Sequence, residues 1–137
     1  MAWSDVKIEV AQNESYGRQL GFFNPPVTGN DPKDEVAVDF TGATAVLSVR
    51  KAQNDTSTEL LHLTSSPAAG LTFVAVGGGP AGAPVPPYNN GIQITITPAQ
   101  SEPLEIGLWY WDLLVVQGAT KMYVARGEFA VVGTAAR

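Results

Sequence analysis

Apolar and polar residues alternate with a period of two in several short stretches of this chain. The clearest case is Ile92, Ile94 and Ile96, which lie on one side of an extended segment while Gln93 and Thr95 lie on the other. This alternation is typical of a β-strand that buries one face. The same reasoning predicts further strands at 6–10, 16–23, 36–38, 45–50, 60–64, 71–76, 108–116, 121–126 and 128–132.

Turn-forming residues separate these strands, and they limit the fold to one class. Polar or Gly/Pro-rich runs at 27–35, 53–57 and 77–91 predict loops, and the last of these cannot form regular structure. Thr97 to Gln100 has a helix-start signature with proline at the first helical position, but Pro103 allows only about one turn. We therefore predict an all-β fold, a single antiparallel β-sandwich domain over 1–137, with an N-terminal segment, 1–5, before the first strand.

Composition excludes several classes of function. The 137 residues include 13 acidic and 8 basic side chains, a net charge of −5, so no phosphate-neutralising patch is expected and nucleic acid is a poor partner. No window approaches the 18 or so apolar residues of a spanning helix, and the N-terminus lacks the features of a signal peptide, so we expect no membrane partner. The chain has no cysteine and only one histidine, His62, which argues against thiol chemistry and a zinc site.

The tryptophans of the longest predicted strand allow two interpretations. Trp109 and Trp111 lie two residues apart and point to one face, with Tyr110 and Asp112 on the other. The simpler interpretation is that both indoles fill the sandwich core. The alternative is an aromatic platform for a sugar ring, in which case at least two further aromatic residues should be exposed and coplanar. These candidates are Trp3, Tyr88, Tyr110 and Tyr123.

The remaining polar clusters favour structural roles. Three carboxylates fall within 30–35, but Pro32 and Lys33 interrupt the spacing of a calcium loop, so we expect a solvated turn. His62 is expected to be structural or exposed. The other carboxylates are dispersed, so the sequence predicts neither a catalytic pair nor a cofactor or metal site.

Four stretches, in order and spacing, resemble the immunoglobulin-like domain of tailed-bacteriophage baseplate and tail proteins, including the N-terminal part of baseplate upper proteins. They are Asp39-Phe40-Thr41-Gly42-Ala43-Thr44-Ala45 leading into Val49-Arg50-Lys51, Gly91-Ile92-Gln93-Ile94-Thr95-Ile96-Thr97-Pro98, Gly107-Leu108-Trp109-Tyr110-Trp111-Asp112-Leu113, and Arg126-Gly127-Glu128-Phe129-Ala130-Val131. The similarity covers roughly 36–132. The Gly/Pro segment 77–90 departs from the tight hairpin usual in that family.

The resemblance implies an immunoglobulin-like β-sandwich and a non-enzymatic virion subunit of the tail, baseplate or neck, assembled in the bacterial host cytoplasm. Such a subunit docks on other virion proteins, and we expect a homo-oligomer. Contacts are expected from Trp3 and from an apolar extended run at the end of the Gly/Pro loop. That run comprises Val85, Pro86, Pro87 and Tyr88. The alternatives are a capsid decoration protein and, from another class, a carbohydrate-binding module that takes a glycan.

Overall fold

A computed structural model describes residues 4–24, 36–51, 59–66, 68–77 and 86–133, and within these ranges the protein is all-β with one short helix. The strands are β1 (Ser4–Asp5), β2 (Ile8–Ala11), β3 (Tyr16–Gly21), β4 (Phe23–Asn24), β5 (Val36–Ala37), β6 (Thr44–Arg50), β7 (Glu59–Ser65), β8 (Ala68–Ala69), β9 (Leu71–Val74), β10 (Gly91–Ile96), β11 (Gly107–Gln117) and β12 (Thr120–Val132). The helix, α1, spans Pro98–Ser101. The loops predicted at 27–35 and 53–57 lie outside the described residues.

Two sheets form a sandwich-like arrangement. The larger sheet has seven strands in the order β1-β12-β11-β6-β7-β8, with β2 also paired to β12. The smaller sheet has the order β3-β10-β9, and β4 pairs with β5 in a separate ribbon. The strands predicted at 45–50 and 60–64 correspond to β6 and β7, which pair in an antiparallel ladder. The large sheet is antiparallel except at one edge, where β1 and β2 both run parallel to β12.

The core lies between the two sheets and is formed by the alternate residues that the sequence pattern predicts. The small sheet supplies one side, where Ile92, Ile94 and Ile96 of β10 are fully buried. The large sheet supplies the other side, and its fully buried members include Ile8, Val49, Trp111, Leu113, Val115 and Phe129. All the buried apolar side chains belong to one cluster.

The last strand differs from its prediction. The sequence predicts separate strands at 121–126 and 128–132, but β12 is continuous through Gly127, which pairs with Trp111 of β11. Gly127 does not interrupt the strand because its missing side chain makes room for another backbone. A Cβ at this position would overlap the carbonyl oxygen of Val6 and lie 2.8 Å from the Val6 carbonyl carbon.

A hydrogen bond from the core fixes the N-terminal edge at the same place. The Trp111 indole N–H donates to the Val6 carbonyl oxygen at 2.8 Å, in the interval between β1 and β2. The Val6 N–H in turn donates to the carbonyl of Arg126 at 2.9 Å. The pairings Asp5 with Arg126 and Ile8 with Phe129 have the same offset, so β1 and β2 follow β12 in one register across this interval.

Helix α1 has the predicted cap, and it fixes the turn that joins the two sheets. The Thr97 hydroxyl accepts from the Gln100 N–H, and the Gln100 side chain accepts from the Thr97 N–H, which is a capping box. Ser101 then donates from its hydroxyl to the Glu14 carbonyl at 2.8 Å. The buried Gln12 side chain donates to the Leu104 carbonyl at 2.7 Å. The corner between β2 and β3 is therefore tied to the helical turn at both of its ends.

Candidate functional site

The predicted contact residues are only partly within the described chain. Trp3 and Val85 lie outside it, whereas Pro86, Pro87 and Tyr88 are described. Pro87 is exposed, but Tyr88 is half-buried and its hydroxyl donates to the Ala37 carbonyl at 3.1 Å. The Tyr88 hydroxyl is thus bonded within its own chain, and an interface role for these residues stays a prediction.

The base of the Gly/Pro loop is held by a side chain that the sequence analysis did not single out. Asn90 is fully buried. Its Oδ1 accepts from the Val76 N–H at 2.6 Å, and its Nδ2 donates to the Val76 carbonyl at 2.9 Å. The amide thereby reproduces the pattern of a neighbouring peptide group and joins the two ends of the loop. The sequence signal was weak, because Asn89-Asn90-Gly91 also has the composition of an ordinary turn.

The two tryptophans point to the same face, as predicted, but are buried to different degrees. Trp111 is fully buried in the core, whereas Trp109 is half-buried against its rim and donates to the Glu105 carbonyl at 3.1 Å. On the opposite face, Tyr110 is half-buried and Tyr123 is 51% exposed. Of the three described aromatic residues that a sugar platform would use, Tyr88, Tyr110 and Tyr123, only Tyr123 is exposed.

The outer face of the large sheet carries several partly exposed apolar side chains. Between the buried residues of β11, Leu114 and Val116 point outward and are partly exposed. Tyr123 of β12 lies opposite Leu114, and Val46 of β6 flanks it on the other side. Leu108, farther along the same face, is 50% exposed. Strands that are apolar on both faces are usually covered on both, so this face is the strongest candidate for docking.

A charged band crosses the same face beside this apolar surface. Arg50 of β6 pairs with Glu59 of β7 at 3.3 Å, and the His62 Nδ1 contacts the other oxygen of Glu59 at 2.7 Å. Burial acts to raise the pKa of Glu59, but the hydrogen bond and charge of His62, together with Ser48 and Arg50, lower it overall. His62 is exposed, in agreement with its prediction.

Asp112 occupies the centre of this band, on β11 between Ser48 and Arg126 in the ladder. Burial raises the pKa of the Asp112 carboxyl, the charge of Arg50 lowers it, the charge of Glu59 raises it, and the net direction is upward. The band therefore holds one carboxylate stabilised by its neighbours and one destabilised by burial. Its arrangement is that of an ion-pair network across a sheet, with the exposed His62 at one end.

Neither a metal-binding cluster nor a membrane-spanning helix is found in the described ranges. Within them, no group of three His, Asp or Glu side chains is placed to hold a metal ion, and the carboxylates predicted as a solvated turn at 30–35 lie outside. No helix in the described part has the length and apolar character needed to cross a bilayer. Comparison with protein-family models gives no match, and comparison with curated proteins gives no significant relative.

Proposed function

We propose that this protein is a non-enzymatic structural subunit of a tailed-phage virion, in the tail, baseplate or neck, and that it acts by docking on other virion proteins. The observation that supports docking is the outer face of the large sheet. Leu114 and Val116 lie there on the central strand, and Tyr123 beside them is half exposed. An apolar patch of this kind on a rigid sheet is typical of protein interfaces, whose cores are depleted in charge and enriched in aromatic residues.

The assignment to a virion is supported by the four family-like stretches. The stretches 91–98, 107–113 and 126–131 coincide with β10, β11 and β12. These strands supply much of the core, so the resemblance falls on residues that position the two sheets. An immunoglobulin-like arrangement of the sandwich is part of this proposal. A capsid decoration protein would use the same docking face, and copy number distinguishes the two.

The carbohydrate-binding alternative receives less support from the geometry. A sugar ring stacks on an exposed, flat aromatic surface, and Tyr123 is the exposed member of the described candidates. Tyr88 donates its hydroxyl to the Ala37 carbonyl, and Tyr110 lies beside Arg50 and Glu128 in the ladder. A fluorescence titration with cell-wall glycans should therefore be flat, and a saturable shift would favour the alternative.

The test of the proposed function is the abundance of the chain in purified particles. Quantitative mass spectrometry, normalised to the major capsid protein, should give a few to a few tens of copies per particle. Copies in the hundreds would indicate capsid decoration. Absence from particles would contradict the virion role.

A variant pair tests whether the outer face is the docking surface. Tyr123→Glu places a charge in the apolar patch at a half-exposed position, so the fold should persist while incorporation falls about tenfold or more. Thr95→Glu is the matched control, because Thr95 is exposed on the outer face of the small sheet. Normal incorporation of Tyr123→Glu would exclude this face without affecting the virion assignment.

A further inference from the structure

Within the described part of the chain, strand β2 has a neighbouring strand on one side only. It pairs with β12 on one side, and two hydrogen bonds bracket it: the Val6 N–H donates to the Arg126 carbonyl and the Gln12 N–H to the Val132 carbonyl, both at 2.9 Å. In a parallel ladder, alternate residues direct their backbone groups to the same neighbour. The N–H and C=O groups of the even-numbered residues of β2 therefore point toward β12. Those of the odd-numbered residues point away from the sheet, at its edge.

Few groups of the described chain meet this outward backbone. Arg18 donates to the Lys7 carbonyl at 3.3 Å, and the Glu14 N–H donates to the Ala11 carbonyl at 3.2 Å. Glu9 lies between these two contacts, and neither its N–H nor its C=O has a partner among the described residues. An uncovered strand edge of this kind is a template for pairing with another strand.

The side chains along this edge carry opposite charges two residues apart. Lys7 and Glu9 are both exposed, and neither forms an ion pair with a described residue. Ile8 and Val10 alternate with them and are buried in the core. The edge therefore presents a positive and then a negative side chain in chain direction, on a strand whose other face is fixed by packing.

We propose that the β2 edge pairs antiparallel with the β2 edge of a second copy of this chain, so that two seven-stranded sheets become one continuous sheet. The inference deepens the proposed function by naming how copies of the subunit join. A positive-then-negative order is self-complementary only when the second strand runs in the opposite direction. The contact is therefore isologous, with the twofold axis beside Ile8.

Charge selects one register among those that pair Glu9 with the β2 edge of the second copy. In an antiparallel pair, a residue whose backbone groups point away from β12 must lie opposite a residue of the same kind. Glu9 can therefore lie opposite Lys7, Glu9 or Ala11 of the second copy. Only the first choice places Lys7 of each copy opposite Glu9 of the other, which gives two symmetric ion pairs. The second choice sets two carboxylates against each other, and like charges directly opposite are destabilising. The carbonyl of Lys7 can accept from the second copy as well as from Arg18, because a carbonyl oxygen has two lone pairs.

The proposal is tested by sedimentation equilibrium of the purified chain over a concentration series. The natural chain should show a monomer–dimer equilibrium. Lys7→Glu and Glu9→Lys each replace the two ion pairs of the dimer by two pairs of like charges. Either variant should raise the dissociation constant about tenfold or more. The double variant K7E/E9K reverses both charges, restores two ion pairs and should return the dissociation constant to within about threefold of the original. Lys121→Glu, at an exposed position of β12 away from this edge, is the control for net charge.

A proline variant tests the backbone part of the contact. Glu9→Pro removes an N–H that β12 does not use, and proline is tolerated at such a position of an edge strand. The circular dichroism spectrum should be unchanged, and the dimer should be lost. A chain that stays monomeric at all concentrations, or a dimer that K7E and E9K leave unchanged, overturns the proposal. A double variant that does not recover the dimer overturns the register. Because purified protein is used, failure here is distinguishable from failure to enter particles.

Discussion

The two edges of the large sheet, at β7 and at β2, are connected to the small sheet in different ways. On the β7 side the large sheet continues into the small one: Thr64 bridges to Gly70, and the Gly70 carbonyl accepts from the Thr95 N–H of β10 at 2.8 Å. The β6–β7 register also shifts between Val49 and Arg50, and such an irregularity makes an edge a poor template. On the β2 side, the corner turn and the contact between Arg18 and Lys7 join the layers.

This difference shows two ways of ending a sheet. The β7 side is closed by backbone contacts to the second layer, and the side chains of Arg50 and His62 both contact Glu59 there. The β2 side is held to the sheet from within, through Gly127 and Trp111, and its outward charges have no partner among the described residues. A closed side favours a stable monomer, whereas an open side with complementary charges favours association.

The largest effect is expected from Gly127→Ala, which removes the space that lets β1 and β2 approach β12. The new Cβ would meet the backbone of Val6, which cannot move away as a flexible side chain could. We expect the free energy of unfolding to fall by roughly 3 kcal/mol, measured by urea denaturation. Gly17→Ala is the control, because its nearest contact would be an ordinary 3.6 Å to the Gln93 side chain. Equal stability of the two variants would contradict the account of this edge.

A smaller loss is expected from Trp111→Phe. This variant removes the indole donor from the Val6 carbonyl and leaves unfilled space in the core, which should cost about 2 kcal/mol. Trp109→Phe is the matched change at a half-buried indole whose acceptor, the Glu105 carbonyl, stays accessible to water. Its cost should be below about 1 kcal/mol. Amide hydrogen exchange of Ile8 and Val10 should accelerate only in Trp111→Phe. Equal exchange in both variants would argue against the indole hydrogen bond as the contact that holds β2 to the large sheet.

On the closed side, Gly70→Ala tests the join between the sheets. Gly70 has a φ of +98°, and an added Cβ would lie 2.6 Å from Leu63 Cδ2 and 3.0 Å from the Thr95 carbonyl oxygen. We expect a loss of about 1.5 kcal/mol in thermal or urea unfolding. Gly42→Ala shares a positive φ of +77° but has nothing within 4 Å of the added atom. The loss in Gly70→Ala beyond that in Gly42→Ala therefore measures the contacts with Leu63 and Thr95. Equal losses would mean that the two sheets are not closely packed at Gly70.

The smallest effects are expected from the charged band between the two sides, and they have opposite signs. The lowered pKa of Glu59 means that its carboxylate stabilises the fold above its ordinary pKa near 4.5, and that this contribution is lost on acidification. The raised pKa of Asp112 means that its carboxylate destabilises the fold as the pH rises through its titration. At pH 7, Glu59→Gln should lower the free energy of unfolding and Asp112→Asn should raise it. Below pH 3 the differences should shrink, and shifts of the same sign would contradict this assignment.

Local pattern sufficed to predict most of the strands but not their neighbours. The alternation of Ile92, Ile94 and Ile96 required only one buried face, and the structure confirms it. The capping box at Thr97 is likewise a local arrangement. The continuity of β12 was missed because a glycine in a strand resembles a break until the approach of Val6, more than a hundred residues away in sequence, is known.

The candidate sites were less predictable than the fold because they depend on what covers a residue. The sequence placed Trp109 and Trp111 on one face, but it could not assign one to the rim and the other to the centre of the core. It gave no sign that β2 is an edge strand, since alternation is the same at an edge and in the middle of a sheet. The apolar outer residues Leu114 and Val116 are visible in the sequence, and considering both faces of that strand would have indicated the docking surface proposed above.

The two hydrogen bonds between the Asn90 side chain and Val76 bear on how the length of the Gly/Pro loop can vary. Because one amide ties Val76 to the start of β10, we expect the pairing of β9 with β10 in the small sheet to depend little on the length of chain between these points. The entropy of closing a longer loop rises only slowly with the number of residues, so insertions there cost little once the ends are joined. We therefore expect that the chain between Val76 and Asn90 can be exchanged while Ile92 and its neighbours keep their places in the core.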